Sequence, residues 1–224
     1  MTANNNYLPQ LDARLAAAAA FVREGAIAAD IGCDHGKLAV ALSLKCKKVI
    51  AIDLRDAPLE SAKKRVQIHG CTNVECRLGD GILCLAPNEA DTIIIAGLSA
   101  QTICGILSQT SWIRNEAYRF IFVPATKHSL LREYLYREGF AILDEKIAYA
   151  ANRLYTVMHC AYSGNGFVSR ALQCEIGEVH GEYAAEYFAK DAKKLLKEAQ
   201  GSKDAIALLA LAKAVQTEGE KWQK

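Results

Sequence analysis

Ala28-Ala29-Asp30-Ile31-Gly32-Cys33-Asp34-His35-Gly36, followed by Val49-Ile50-Ala51-Ile52-Asp53, decides how this chain folds. An apolar run ends in an acidic, glycine-containing turn and a helical stretch follows. A second apolar run then ends in an aspartate about 20 residues on, the order of a nucleotide-binding βαβ unit. The predicted class is therefore α/β. Ligands of such sheets sit at the carboxyl ends of the strands, so this turn and Asp53 mark a candidate site.

The turn also separates cofactor classes. A dinucleotide turn needs closely spaced glycines so that backbone amides approach a pyrophosphate. Gly32 and Gly36 are present, but the middle glycine is not. Asp30 and Asp34 would instead meet a pyrophosphate with like charge. S-adenosylmethionine has no phosphate and carries an ammonium and a sulfonium, so an acidic turn suits it. In this reading Asp30, Gly32, Asp34 and His35 hold the cofactor. Asp53, with Leu54 beside it, accepts hydrogen bonds from the ribose hydroxyls, and Gly79-Asp80-Gly81 brings Asp80 to an adenine edge. A purely structural turn of another α/β protein is the alternative. His35 either orients cofactor or substrate or simply caps the turn.

The rest of the chain frames that unit. At 224 residues and 51% hydrophobic, it is long enough for one α/β domain and an appendage. The apolar run from Leu15 to Val22 is interrupted by Arg23 and Glu24, far short of the roughly 20 residues that span a bilayer. Neither a membrane anchor nor a signal peptide is expected. The eight cysteines show no C-x-x-C pair and no zinc spacing with histidine, so reduced thiols, a cytoplasmic location and no metal site are expected. A net charge of +2 does not by itself demand a nucleic-acid partner. Lys45, Lys47 and Lys48, or Lys63, Lys64 and Arg65, are either phosphate contacts or a solvated helix face.

Strands are predicted over 26–31, 48–53, 74–78, 90–96, 119–123, 140–147 and 154–160, with helices over 37–45, from about 58 to 70, to about 107 after the fourth strand, and over 128–138. A helix over 9–24 precedes them. This pattern predicts a doubly wound, seven-stranded, mostly parallel sheet with an antiparallel edge. After Ser163-Gly164-Asn165-Gly166 the chain reads as helical to its end, broken near Gly201-Ser202. Two units are thus expected, 1–163 and a helical hairpin over 164–224 that brings Lys190, Lys193, Lys194 and Lys197 near one another.

The motifs resemble those of the TrmK family of bacterial class I methyltransferases, which methylate N1 of the adenine at tRNA position 22. The family's Asp-Ile-Gly-x-Asp-His stands here as Asp30-Ile31-Gly32-Cys33-Asp34-His35, and its Gly-Pro-x-x-x-Ala segment as Ala57-Pro58-Leu59-Glu60-Ser61-Ala62. Its Gly-Asp-Gly-Leu stands as Gly79-Asp80-Gly81-Ile82 and its late strand tyrosine as Tyr155. The resemblance spans roughly Leu11 to Tyr162, with the helical tail in its expected place. It implies an S-adenosylmethionine-dependent enzyme with tRNA as partner, Ala96 and Gly97 against the cofactor, and Gly97, Leu98, His35 and Pro124 at the reacting end. A monomer is expected.

Two loops depart from the family pattern. Its Ala-Gly-Met-Gly-Gly is here Ala96-Gly97-Leu98-Ser99-Ala100, and its Gln-Pro-Asn-type motif is Val123-Pro124-Ala125-Thr126. They leave open another RNA or small-molecule substrate, or a protein that binds cofactor or RNA without turnover. Amine methyltransferases place an Asn or Asp, prolines and an aromatic after the fourth strand, and Gly97-Leu98-Ser99-Ala100 has none. Adenine N1 has its own lone pair, so no strong base is needed, but it lies on the pairing edge and must be unpaired to react. Tyr155 stacks at the site or belongs to the core, and His128 is read as structural rather than catalytic.

Overall fold

The structure, a computed structural model, describes residues 9–223, so the first eight residues of the expected catalytic unit and Lys224 lie outside the described residues. Its centre is built from the continuous apolar runs. β1 (Ile27–Ile31) and β2 (Lys48–Asp53) are buried at every residue after the first, as strands covered by helices on both faces must be. β1 lies between β2 and β4 (Thr92–Ala96), parallel to both. β3 (Val74–Leu78) flanks β2 and β5 (Arg119–Val123) flanks β4, again in parallel. The chain therefore winds outward from β1 to β3, then outward the other way from β4. The crevice lies where those directions part.

Alternate side chains of each strand feed opposite faces. Val49 and Ala51 pack with α1 (Ala13–Phe21), α2 (Lys37–Leu42) and α3 (Asp56–Ile68) through Ala18, Leu38 and Leu59. Ile50 and Ile52 face α4 (Ala100–Ser108) and α5 (His128–Arg137) through Ile103, Ile106 and Leu131. Each face buries its own apolar cluster, and the mostly parallel Rossmann-like class predicted from sequence is the one observed. α1 is shorter than predicted because the Asp12 side chain accepts from the Leu15 amide and starts the helix there.

Three expectations are corrected. The sheet has eight strands, not seven, in the order β3-β2-β1-β4-β5-β7-β6-β8. The antiparallel strand is internal, not at the edge: β7 (Arg153–Tyr162) runs back between β5 and β6 (Phe140–Ala150). Ala151 and Asn152, both at positive φ, join that hairpin, the turn geometry that matches strand twist. Finally, the tail is not helical throughout. α6 (Ala171–Ile176) stops at Gly177, and Val179–His180 adds β8 in parallel beside β6. A side chain at Gly177, φ 56, would run into Arg132 and Glu145.

Arg132 explains that close approach. It is fully buried, and its guanidinium donates to Glu145 Oε1 at 2.7 Å, to the carbonyls of Cys174 and Glu175 at 2.7 Å each, and to the Tyr187 hydroxyl at 3.0 Å. One α5 side chain thus ties a core strand to α6 and to α7 (Ala184–Ala199). α7 buries Tyr187, Phe188, Ala192 and Leu195 at helical spacing and pairs with α8 (Ala205–Glu220). Ile147 and Leu154 of the β6–β7 hairpin complete this third cluster.

Candidate functional site

A cavity of about 680 Å³ opens at the carboxyl ends of β1, β2 and β4, within the range that takes a small-molecule cofactor. Its lining brings together Asp30, Gly32, Asp34, His35, Asp53, Leu54, Gly79, Asp80, Gly81, Ala96, Gly97 and Leu98, all named from sequence. Pro124 is not among the lining residues. It is buried after β5, and the Ala125 and Thr126 that follow it are exposed.

The acidic residues differ in how they are held. Asp53 is buried, and its carboxylate accepts from the Asp34 amide and from the Arg55 amide, each at 3.0 Å. These bonds lock the side chain across the mouth of the first turn, and the carboxylate keeps lone pairs for a further partner. Gly32 and Cys33 donate to the Ile52 carbonyl at 2.8 and 2.9 Å, so the turn is stitched to β2 along its length. His35 is exposed, its Nε2 3.7 Å from Asp34 Oδ1, and its carbonyl accepts from Arg65 Nε at 2.7 Å.

Asp30 is buried, and its Oδ2 has no hydrogen-bond partner. Burial, then the charges of Asp53 and Asp34, push its carboxyl up to about 7. A buried acid without a partner, lining an open cavity, is chemically suited to a cationic group. Leu54, 65% exposed at the end of β2, offers an apolar surface beside it.

The two loops that depart from the family pattern are bonded to each other. Leu98 O accepts from the Ala125 amide at 2.8 Å, and Thr126 O accepts from the Ala100 amide at 3.2 Å. Leu98 also covers the Gly32 turn, its side chain 3.6 Å from where a Cβ on Gly32 would stand. Ser99 caps α4 by accepting from the Thr102 amide at 3.2 Å. The departures therefore form one rim element.

Arg14 also lines the cavity and was not singled out in sequence. Its guanidinium sits 5.3 Å from the centroid of the Tyr155 ring, it pairs with Asp12 at 3.0 Å, and its Nη1 lies 3.5 Å from where a Cβ on the exposed Gly97 would be. Tyr155 is thus both a packing partner of the core and a support for Arg14. The available signal was a lone arginine in the first turn of an otherwise apolar, alanine-rich helix.

Residues 11–158 match the methyltransferase domain family. The tRNA (adenine(22)-N(1))-methyltransferase of Bacillus subtilis is 34% identical over 152 residues, covering 66% of this chain and 64% of that protein. The chain thus aligns to just under two thirds of that relative's length. The crystal structure of the B. subtilis m1A22 tRNA methyltransferase TrmK superposes with a TM-score of 0.75 at 25% identity, covering 96% of this chain and 100% of that one. A Streptococcus pneumoniae protein solved in complex with S-adenosyl-L-methionine superposes with a TM-score of 0.82 at 25% identity, covering 93% and 99%. An acidic crevice at the switch point of a doubly wound sheet and the family match over the same residues agree, and the chain belongs to the methyltransferase domain family.

Proposed function

We propose that the protein transfers a methyl group from S-adenosylmethionine to N1 of an adenine in tRNA, in the D-arm region at position 22. The observation that carries the cofactor assignment is the unpartnered, buried Oδ2 of Asp30 in the cavity wall, which fits the cofactor's ammonium. Asp53, held by two backbone amides, accepts from the ribose hydroxyls, Leu54 and Gly79 to Gly81 border the adenine, and Asp34, His35 and Gly32 line the remaining length. When bound, the cofactor supplies an electrophilic methyl on a sulfonium.

The protein's part is positioning and exclusion of water. Ala96, Gly97 and Leu98 form the rim over which the base enters, and the exposed backbone at Gly97 leaves room for a ring edge beside Arg14. N1 attacks with its own lone pair, so neither a strong base nor a Lewis acid is needed at the reacting centre. Pro124 opens the loop that bonds to the Leu98 rim, and its part at the reacting end is to support that rim.

The division of labour follows. Residues 1–163 carry the chemistry, and 164–224 extend the surface that meets RNA, through the exposed Lys190, Lys193 and Lys197 of α7. On this reading the protein acts as a monomer. All eight cysteines are free, in keeping with a reducing cytoplasmic setting. Among the described residues, no helix is long and apolar enough to cross a membrane.

The test is transfer of labelled methyl to bulk tRNA lacking N1-methyladenosine, with the site mapped. Label at N1 of a D-arm adenine is the expected result. Label on another nucleotide supports a shifted substrate, the reading favoured by the altered rim. Cofactor binding without transfer to RNA would overturn the tRNA assignment.

A further inference from the structure

A second polar cluster lies where the tail meets the core. His128 opens α5, Glu175 stands in the last turn of α6 and Asp191 sits midway along α7, and one donor atom from each lies within 4.8 Å of the other two. Asp191 is 4% exposed and Glu175 8%. Three atoms here, His128 Nε2, Glu175 Oε2 and Asp191 Oδ2, are buried without a hydrogen-bond partner. Such groups are costly to leave unsatisfied, and three converging from three elements point to something that completes them.

The surroundings narrow what that is. Lys194 Nζ stands 3.5 Å from Asp191 Oδ1 and 3.9 Å from Glu175 Oε2, half-exposed, and offsets one of the two carboxylate charges. The Tyr187 ring packs 5.3 Å from His128, and Arg132 grips the Cys174 and Glu175 carbonyls at 2.7 Å each, fixing the backbone that carries one donor. Supporting contacts of this kind orient metal ligands. An imidazole with two carboxylates is a donor set for zinc-type divalent ions, which bind nitrogen and oxygen at about 2.0 to 2.2 Å.

We propose that His128, Glu175 and Asp191 form a divalent transition-metal site of the zinc type that clamps the tail to the catalytic core. The site stands apart from the residues that line the methyl-donor cavity and takes no part in methyl transfer. Its three ligands come from segments far apart in sequence, which is why no spacing motif reveals it.

The test is to strip the full-length protein with a chelator and titrate it with Co²⁺ and then Zn²⁺. Expected is one equivalent of Co²⁺ with visible ligand-field absorption and no near-ultraviolet thiolate charge-transfer band, displaced by Zn²⁺, with a higher melting temperature and slower proteolysis around residues 163–170. His128→Gln should lose the band and the metal-induced melting shift while binding S-adenosylmethionine as the parent does. Glu175→Gln, which keeps shape and removes the anionic donor, gives the same readout if His128→Gln does not fold. No stoichiometric Co²⁺ binding, a thiolate band, or full binding by either variant would overturn the proposal.

Discussion

Two buried carboxylates in this molecule, Asp30 and Glu175, are both pushed up to about 7, with burial the largest cause, yet they sit in opposite settings. Asp30 lines an open cavity, has Asp53 and Asp34 as charged neighbours, and among the described residues makes no ion pair. Glu175 lies where the tail meets the core, with Lys194, His128 and Asp191 around it and the Arg132 guanidinium on its carbonyl. One acid is left for a ligand that comes and goes. The other belongs to a junction that must stay closed. An uncompensated buried acid thus marks incompleteness, and whether it borders a cavity distinguishes the two settings.

The junction should break first and hardest. Arg132→Met leaves Glu145 buried without its partner, and unfolding by urea should report a loss of about 3 to 5 kcal/mol. A change below about 1 kcal/mol would mean the pair contributes no more than a surface salt bridge.

At the open site, the largest effect falls on affinity and not on folding. Asp53→Ala removes the acceptor proposed for the ribose and frees the Asp34 and Arg55 amides, so calorimetry should show cofactor binding weakened about 10- to 100-fold with a small shift in melting temperature. Unchanged affinity would remove Asp53 from the ribose.

The pH response sharpens the contrast. The Asp30 carboxyl is raised in the folded protein, so its contribution to stability is full below the ordinary carboxylate value and lost as pH rises through about 7. A cationic ligand needs the ionised form, so affinity for S-adenosylmethionine should rise about tenfold between pH 6 and pH 8 in the parent. In Asp30→Asn that slope should be flat, and the ligand-free protein should melt higher than the parent at pH 8. A parent affinity that does not change with pH would separate Asp30 from the ammonium.

The smallest expected effect concerns the tail surface. Lys193→Glu with Lys197→Glu leaves the junction lysine Lys194 in place and should lower the slope of log affinity for tRNA against log salt by about 1 to 2. An unaltered slope means that α7 does not contact phosphates.

Much of the half that carries the cavity was legible because its signals are local. Asp30 to Gly36 and the strand ending at Asp53 are contiguous segments whose periodicity dictates strand and turn, and twelve of the thirteen residues named from them and from the related loops line one cavity. Pro124 is the exception, since a residue at the end of a strand can point to either side of the sheet and only packing selects which. Arg14 was missed for the converse reason: a helix preceding the first strand carries no mark of which strand ends it will cross. Of the basic groups read as possible phosphate contacts, Lys45 is taken by the Ala19 carbonyl at 3.1 Å, Lys48 by Glu75 at 2.7 Å and Lys63 by Glu60 at 2.8 Å.

By itself, then, the sequence determined the alternation of strands and helices, the acidic turn with its aspartate on the neighbouring strand, and the apolar periodicity of α7. Each of these rests on residues close in the chain, where backbone geometry and period settle the outcome. Only the tertiary structure decided that β7 lies inside the sheet, that two residues after Gly177 become an eighth strand, and that Arg132, Glu145 and Tyr187, or His128, Glu175 and Asp191, meet at one junction. Those contacts join segments far apart in sequence, and no local preference encodes them. They form because buried charges and edge-strand hydrogen-bonding groups must find partners once the chain has collapsed.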